Sequence, residues 1–206
     1  DKTGTLTEGR PTLTTIRVLP GTEETTLLRL AASLEQRSEH PLAAAVLTAA
    51  ASRGVTPADR VSEFQSRTGA GVVGRVGGMR TVLGNCALMA AEGVDVTALA
   101  VEVARLGASG QTVLYLAGDG AVRGLLAFAD SVKITTPEAV RQLRTEGLRL
   151  VMLTGDAQAA ADAVARGLGI DTVIAELLPA DKQATIARLQ SEGRTVTNAV
   201  PLAAPV

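Results

Sequence analysis

The sequence predicts an α/β protein in two parts. One is a parallel sheet with flanking helices, drawn from residues 1–10 and 127–206; the other, over residues 11–126, is an inserted α+β unit on an antiparallel sheet. Three observations predict this. From Asp130 onward, strand-like and helix-like stretches alternate, the pattern of a parallel sheet with crossover helices. Between residues 61 and 128 the apolar runs are β-branched and broken by glycines, the mark of hairpins. The chain also opens on Asp1-Lys2-Thr3-Gly4-Thr5-Leu6-Thr7, a polar loop of the kind α/β proteins carry at the carboxyl end of a strand. A strand is therefore expected before residue 1, and the chain reads as a fragment.

Taken in order, Leu13 to Leu19 alternates loosely and reads as a strand ended by Pro20-Gly21. Thr22 to Ser38 reads as a helix with Leu27, Leu28, Leu30, Ala31 and Leu34 on its apolar face and Thr22 as N-cap. Pro41 opens a second helix to Ser52, at the first-turn position where proline is tolerated, and Gly54 closes it. Gly69, Gly71 and Gly74 match G-x-G-x-x-G, but no helix follows them, so a dinucleotide fingerprint is excluded. Val72 to Leu83 instead reads as a hairpin turning at Gly77-Gly78, its glycines letting backbone pass close to a ligand. Short helices follow at 87–92 and 97–106, then a hairpin of 112–117 and 122–128 turning at Gly118-Asp119-Gly120. Thr136-Pro137-Glu138 reads as the cap and first turn of a helix over 137–146. Leu148 to Leu153 reads as a buried strand ending at Thr154-Gly155-Asp156. Helix 157–168, strand 172–175 and a helix over 182–191 opened by Lys182 complete the pattern, and Thr195-Val196 begins a further strand.

Composition excludes several function classes. Lys and Arg number 20 against 21 Asp and Glu, a formal net charge of −1, with two Phe, one Tyr and no Trp. Neither a basic field nor stacking platforms for nucleic acid exist. Cys86 stands alone, which rules out an internal disulfide and a Cys-x-x-Cys metal pair, and it reads as a small buried hydrophobe. No apolar run approaches the ~18–20 residues that span a bilayer, and no leader peptide opens the chain. A soluble segment is expected.

The opening loop is suited to a phosphoryl group. Asp1 offers a carboxylate nucleophile, Gly4 lets the amides of Thr3 to Thr5 form an anion-binding nest, Lys2 adds a point charge, and the hydroxyls of Thr3 and Thr5 can donate. The same residue types also make ordinary polar turns. His40, the single histidine, sits at a helix start, where capping or packing is the usual role. Asp130 reads equally well as a hinge acid between the two parts or as a solvent cap.

The string Asp-Lys-Thr-Gly-Thr-Leu-Thr resembles the phosphorylation signature of the P-type ATPases, and four further motifs follow in that family's order. Ser38-Glu39-His40-Pro41 resembles the nucleotide-binding element of the heavy-metal-transporting branch. Gly69 and Gly71, with Gly84-Asn85, match its glycine hairpin. Thr154-Gly155-Asp156 and Pro179-Ala180-Asp181-Lys182 resemble the motifs of its phosphorylation domain, a haloacid-dehalogenase-like fold. The resemblance implies ATP and Mg²⁺ as cofactors, adenine beside Glu39 and His40, an aspartyl-phosphate on Asp1, equatorial oxygens held by Thr154 and Lys182, and closure of the two domains during turnover. Asp1 and Thr3 are the implied metal contacts. It also implies a parent on the cytoplasmic face of a membrane. That parent would export a heavy metal, copper before others because of Ala129-Asp130-Ser131-Val132-Lys133 and Thr136-Pro137-Glu138-Ala139-Val140. Its actuator domain, its membrane helices with the transport ligands, and the Gly-Asp-Gly-x-Asn-Asp segment that holds Mg²⁺ do not appear here: after Glu192 there is no Asp or Glu, and Thr197-Asn198-Ala199-Val200-Pro201 departs from that pattern. Two rivals remain open. One is a dehalogenase-like phosphatase, although Thr3 stands where such enzymes carry a second Asp; the other is a non-catalytic nucleotide-binding remnant.

Overall fold

The computed structural model describes residues 1–58 and 60–197, so the departure expected at 198–201 lies outside the described residues. The chain divides into two compact units, one of residues 1–10, 107–110 and from Asp130 on, the other of residues 11–106 and 111–129. The second crossing falls after Ala129, not before Ala127, because the last strand of the inserted unit runs on to that residue.

The inserted unit is organised on a sheet of order β1-β6-β5-β4-β3-β2, with every neighbouring pair antiparallel. Its elements are β1 (Thr12–Val18), α1 (Glu24–Glu35), α2 (Pro41–Ser52), β2 (Val61–Arg67), β3 (Gly71–Val76), β4 (Met79–Gly84), α3 (Cys86–Ala91), α4 (Ala100–Ala108), β5 (Thr112–Gly118) and β6 (Ala121–Ala129). Side chains alternate between the faces of a strand, and here both faces are covered. Leu83, Leu116, Leu126 and Phe128 pack with Leu27, Leu28, Leu34 and Val46 from α1 and α2. Their sequence neighbours Val82, Tyr115, Leu125 and Ala127 pack with Leu88, Met89 and Leu106 on the other side. That is why residues 124–128 of β6 are buried without a break.

Several expectations need correction. Segment 61–67 is an edge strand that the sequence hides: apart from Val61 and Phe64 it is polar, and a bulge at Glu63 (φ 52°) breaks its alternation. The helix expected from Thr22 begins at Glu24, with Glu23 at the cap position and no side-chain cap bond. Cys86 is exposed, not buried, because the Asn85 cap turns the first residue of α3 outward.

In the other unit, α5 (Thr136–Thr145), β7 (Val151–Leu153), α6 (Gln158–Leu168), β8 (Thr172–Ile174) and α7 (Pro179–Ser191) follow in order. β7 and β8 pair in parallel around the α6 crossover, over a core of Val140, Met152, Ala161, Ala165 and Ile170 against which Leu6 packs. β7 is shorter than expected, and Leu148 is 51% exposed. A strand extends only as far as its partner, and β8 offers just the register Val151↔Thr172 to Leu153↔Ile174. Thr135, not Thr136, takes the cap position of α5, since the Thr136 hydroxyl donates to the Leu6 carbonyl. Residues 194–197 take no regular structure, so Thr195-Val196 starts no strand among the described residues. Lys182 lies inside the first turn of α7, because Pro179 is accepted at its start and Asp181 takes the Leu178 amide proton.

Candidate active site

The opening loop is a turn and not a helix. Thr3 (φ −69°, ψ 125°) and Gly4 (φ 75°, ψ −12°) have the dihedrals of the two central residues of a type II turn, which demands a glycine-like second position. Lys2 O accepts from both the amide and the hydroxyl of Thr7, closing the loop. Asp1 is exposed, and its Oδ1 accepts from the Lys2 amide and from Lys182 Nζ, each at 2.9 Å. The first turn of α7 thus brings a cation from a distant part of the sequence onto the candidate nucleophile.

Lys2 does not act as the expected point charge toward a phosphate. It is 3% exposed and its ammonium is paired with Asp156. Thr154, 2% exposed, donates its hydroxyl to Asp156 Oδ2 at 2.7 Å and accepts from the Asp156 amide at 3.2 Å. The Thr154-Gly155-Asp156 loop at the carboxyl end of β7 is fastened to the 174–177 turn. Thr154 N donates to Ile174 O, Leu177 N to Thr154 O, and Glu176 N to Asp156 O. A Cβ on Gly155 would sit 3.2 Å from Leu177 O. Asp1, Lys2, Thr3, Thr154, Gly155, Asp156 and Lys182 therefore form one constellation, with the acid toward solvent and a Lys–Asp–Thr network beneath it.

Asp130 is neither a solvent cap nor free. Its Oδ2 accepts from the Thr7 hydroxyl at 2.6 Å and its Oδ1 from the Arg10 amide at 3.2 Å, which ties the end of the opening segment to the start of the 130s. Lys133, which sequence reasoning passed over, donates its ammonium to the Gly4 carbonyl at 2.7 Å.

The residues expected at adenine belong to the inserted unit. Glu39 and His40 are exposed. His40 caps α2: its Nδ1 accepts from the Leu42 amide at 3.2 Å. Gly71 and Gly84 face each other across β3 and β4, and a Cβ on Gly71 would lie 2.2 Å from Leu83 O, so close backbone approach requires both. Asn85 caps α3 through Oδ1 and donates Nδ2 to Gly69 O at 3.0 Å. One residue here was missed. Glu35 is 4% exposed, its Oε2 is buried with no hydrogen-bond partner, and burial pushes its carboxyl pKa above the ordinary value despite a bond from Ser38. Its position four after Ala31 and seven after Leu28, on the apolar stripe of α1, was the available signal. An orphan buried acceptor beside the 38–40 loop is an unmet demand for a donor.

Among the described residues, no group of three or more His, Cys, Asp or Glu could hold a metal, and no helix is long and apolar enough to cross a membrane.

Comparison with known proteins adds to this geometry. The family model for haloacid dehalogenase-like hydrolases matches residues 1–197. A copper-transporting P-type ATPase of Rhizobium leguminosarum bv. viciae is 47% identical over 199 residues, 97% of this chain and 24% of that protein. The silver exporting P-type ATPase of Salmonella typhimurium is 47% identical over 200 residues, 97% of this chain and 24% of its own length. Among solved structures, a zinc-transporting PIB-type ATPase in its E2.Pi state superposes with a TM-score of 0.62 at 33% identity, over 93% of this chain and 31% of that one. A catalytic CPx-ATPase domain shares the fold, with a TM-score of 0.72 at 24% identity over 94% of this chain and 66% of that one. The chain spans about a quarter of the length of these curated relatives.

Proposed function

Because the chain belongs to the haloacid dehalogenase-like hydrolases, we propose that Asp1 is a nucleophile that takes the γ-phosphoryl group of ATP, and that the chain is the catalytic portion of a heavy-metal-exporting P-type ATPase, copper its first candidate cargo. The observation that carries this reading is the 2.9 Å pair between Lys182 Nζ and Asp1 Oδ1, set over the Lys2–Asp156–Thr154 network. A carboxylate oxygen of Asp1 attacks the γ-phosphorus; the bond to the β,γ-bridging oxygen breaks; ADP departs with that electron pair, leaving an acyl-phosphate. Lys182 first holds the Asp1 carboxylate and then faces the transferred oxygens. The Thr154 hydroxyl, now donating to Asp156, can turn to a phosphoryl oxygen while Lys2 continues to neutralise Asp156. Lys2 and Asp156 thus position the loop, while Asp1 and Lys182 do the chemistry.

Mg²⁺ is a cofactor in this reading. The Asp1 carboxylate and the Thr3 carbonyl are hard oxygen donors of the right type, and with no larger acidic cluster among the described residues the rest of the shell falls to phosphate and water, as Mg²⁺ readily accepts. Bound there, it would offset the charge on the transferring group.

On the nucleotide side, the inserted unit acts as the ATP-binding domain. His40 presents its ring to adenine, Gly69, Gly71, Gly84 and Asn85 shape the glycine hairpin, and the exposed Glu39 is a weaker acceptor for the exocyclic amine than Glu35, whose buried oxygen lacks a donor. Transport itself requires an actuator domain and membrane helices of the same parent chain, at the cytoplasmic face of a membrane. Incubation of the full-length protein with radiolabelled ATP tests the core of this reading. An acid-stable, hydroxylamine-labile label is expected in the wild type and absent in Asp1→Asn; a label that survives that substitution overturns it.

A further inference from the structure

Resting on Asp1 as the phosphorylated residue, we propose that Lys133 is a positioning residue for that reaction, holding the Gly4 carbonyl and so fixing the turn that carries Asp1. Gly4 is the one residue of the opening turn with no Cβ to restrict its ψ, so the Gly4–Thr5 peptide is the part of the loop that sterics leave freest to rotate. Lys133 removes that freedom: its Nζ donates to Gly4 O at 2.7 Å while its own amide donates to Leu6 O at 3.1 Å. Because the peptide is planar and trans, fixing the carbonyl direction aims the Thr5 N–H the opposite way. In a type II turn that amide faces the carbonyl of the turn's first residue, here Lys2, so the hold on Gly4 sets how the turn closes behind Asp1.

The rest of the segment is held independently of this ammonium. Thr7 bridges to Val132, Glu8 N donates to Ser131 O, the Thr136 hydroxyl donates to Leu6 O, and Asp130 takes Thr7 and Arg10. Gly9 backs the turn so closely that a Cβ there would lie 3.0 Å from the Gly4 Cα. Loss of the Lys133 ammonium therefore leaves the segment docked and releases a single peptide. A role in positioning, separate from stability, follows from that division of labour.

The test compares Lys133→Met, Lys133→Arg and, as control, Arg141→Met, an exposed α5 residue paired with Glu138, in the full-length protein. Phosphoenzyme formation from radiolabelled ATP is read at saturating and limiting nucleotide, and amide hydrogen exchange is read across residues 2–7. Lys133→Met is expected to slow phosphorylation at saturating ATP about ten- to a hundredfold, the scale of a misplaced reacting group. Its KM for ATP and melting temperature should match the control, Lys133→Arg should recover most of the rate, and exchange at Thr5 should quicken. A KM that rises as steeply as the rate falls would make Lys133 a nucleotide contact and overturn the proposal; so would an unchanged rate. If the wild type forms no Asp1-dependent phosphoenzyme, it is the functional reading that fails. The exchange arm then decides alone: faster exchange at Thr5 in Lys133→Met upholds the hold on Gly4, and unchanged exchange removes it.

Discussion

The Lys2–Asp156 pair supplies the sharpest energetic prediction. The Lys2 side chain is 4% exposed and that of Asp156 18%, so each removes most of the other's access to water. Asp156→Ala strands the ammonium in that setting, a change that costs about 3–5 kcal/mol when a buried pair loses one partner. The Thr154 hydroxyl loses its acceptor at the same time, worth about 1 kcal/mol more. Lys2→Met is milder, about 1–3 kcal/mol, because Asp156 keeps the Thr154 hydroxyl and is the better hydrated of the two. In the double variant no charge is left unpaired, so it should be more stable than Asp156→Ala alone by about 2 kcal/mol, against the usual rule that damage accumulates. Urea unfolding followed by circular dichroism measures all four proteins, with the slope checked for constancy. Additivity of the two single changes to within about 0.5 kcal/mol would refute the reasoning, as would an Asp156→Ala cost below that of Lys2→Met.

Three further outcomes are expected. Burial raises the pKa of Glu35 from its ordinary 4.5, so the folded state keeps that proton longer than the unfolded one. The associated stability is complete below about pH 4.5 and is lost as pH rises through the raised value; Glu35→Gln should flatten this decline in pH-dependent melting and also weaken ATP binding by calorimetry. Gly71→Ala forces a methyl to 2.2 Å from Leu83 O at φ 145°, and should cost the inserted unit more than about 3 kcal/mol by strain and overpacking, read as a lower denaturant midpoint. His40→Ala removes the α2 cap bond for about 1 kcal/mol of stability, and titration with ATP should show an affinity loss larger than that; equal affinities would take His40 out of the site.

Much of this was legible in the sequence, and the misses share a cause. The hairpin turning at Gly77-Gly78, the Pro41 and Pro137 helix starts and the strand–helix–strand of 151–174 were readable because their signals are local: proline fixes φ, and glycine accepts φ of 59° and 88° at 77 and 78. Thr22 and Thr136 have the composition of caps, yet Thr136 is claimed by Leu6 O, a partner far away in sequence. Leu148 is apolar enough for a buried strand but has no strand to pair with among the described residues. Motifs alone single out Asp1, Thr154 and Lys182 as candidates, while the burial of Lys2, the hold of Lys133 on Gly4 and the unpaired oxygen of Glu35 are facts of three-dimensional proximity that no spacing encodes.

The placement of Asp130 bears on how the protein comes into being. Its carboxylate receives Thr7 and Arg10, while just beyond, Thr12 lies opposite Ala129 in the β1–β6 ladder. The opening loop leaves the ribosome before the inserted unit, yet it stays unfastened until β6 and Asp130 have followed. Zipping of β1 onto β6 then brings both ends of the inserted segment together, so the long closure that would otherwise slow assembly of the opening loop has already happened. The loop of the candidate nucleophile is thus made early and fastened late.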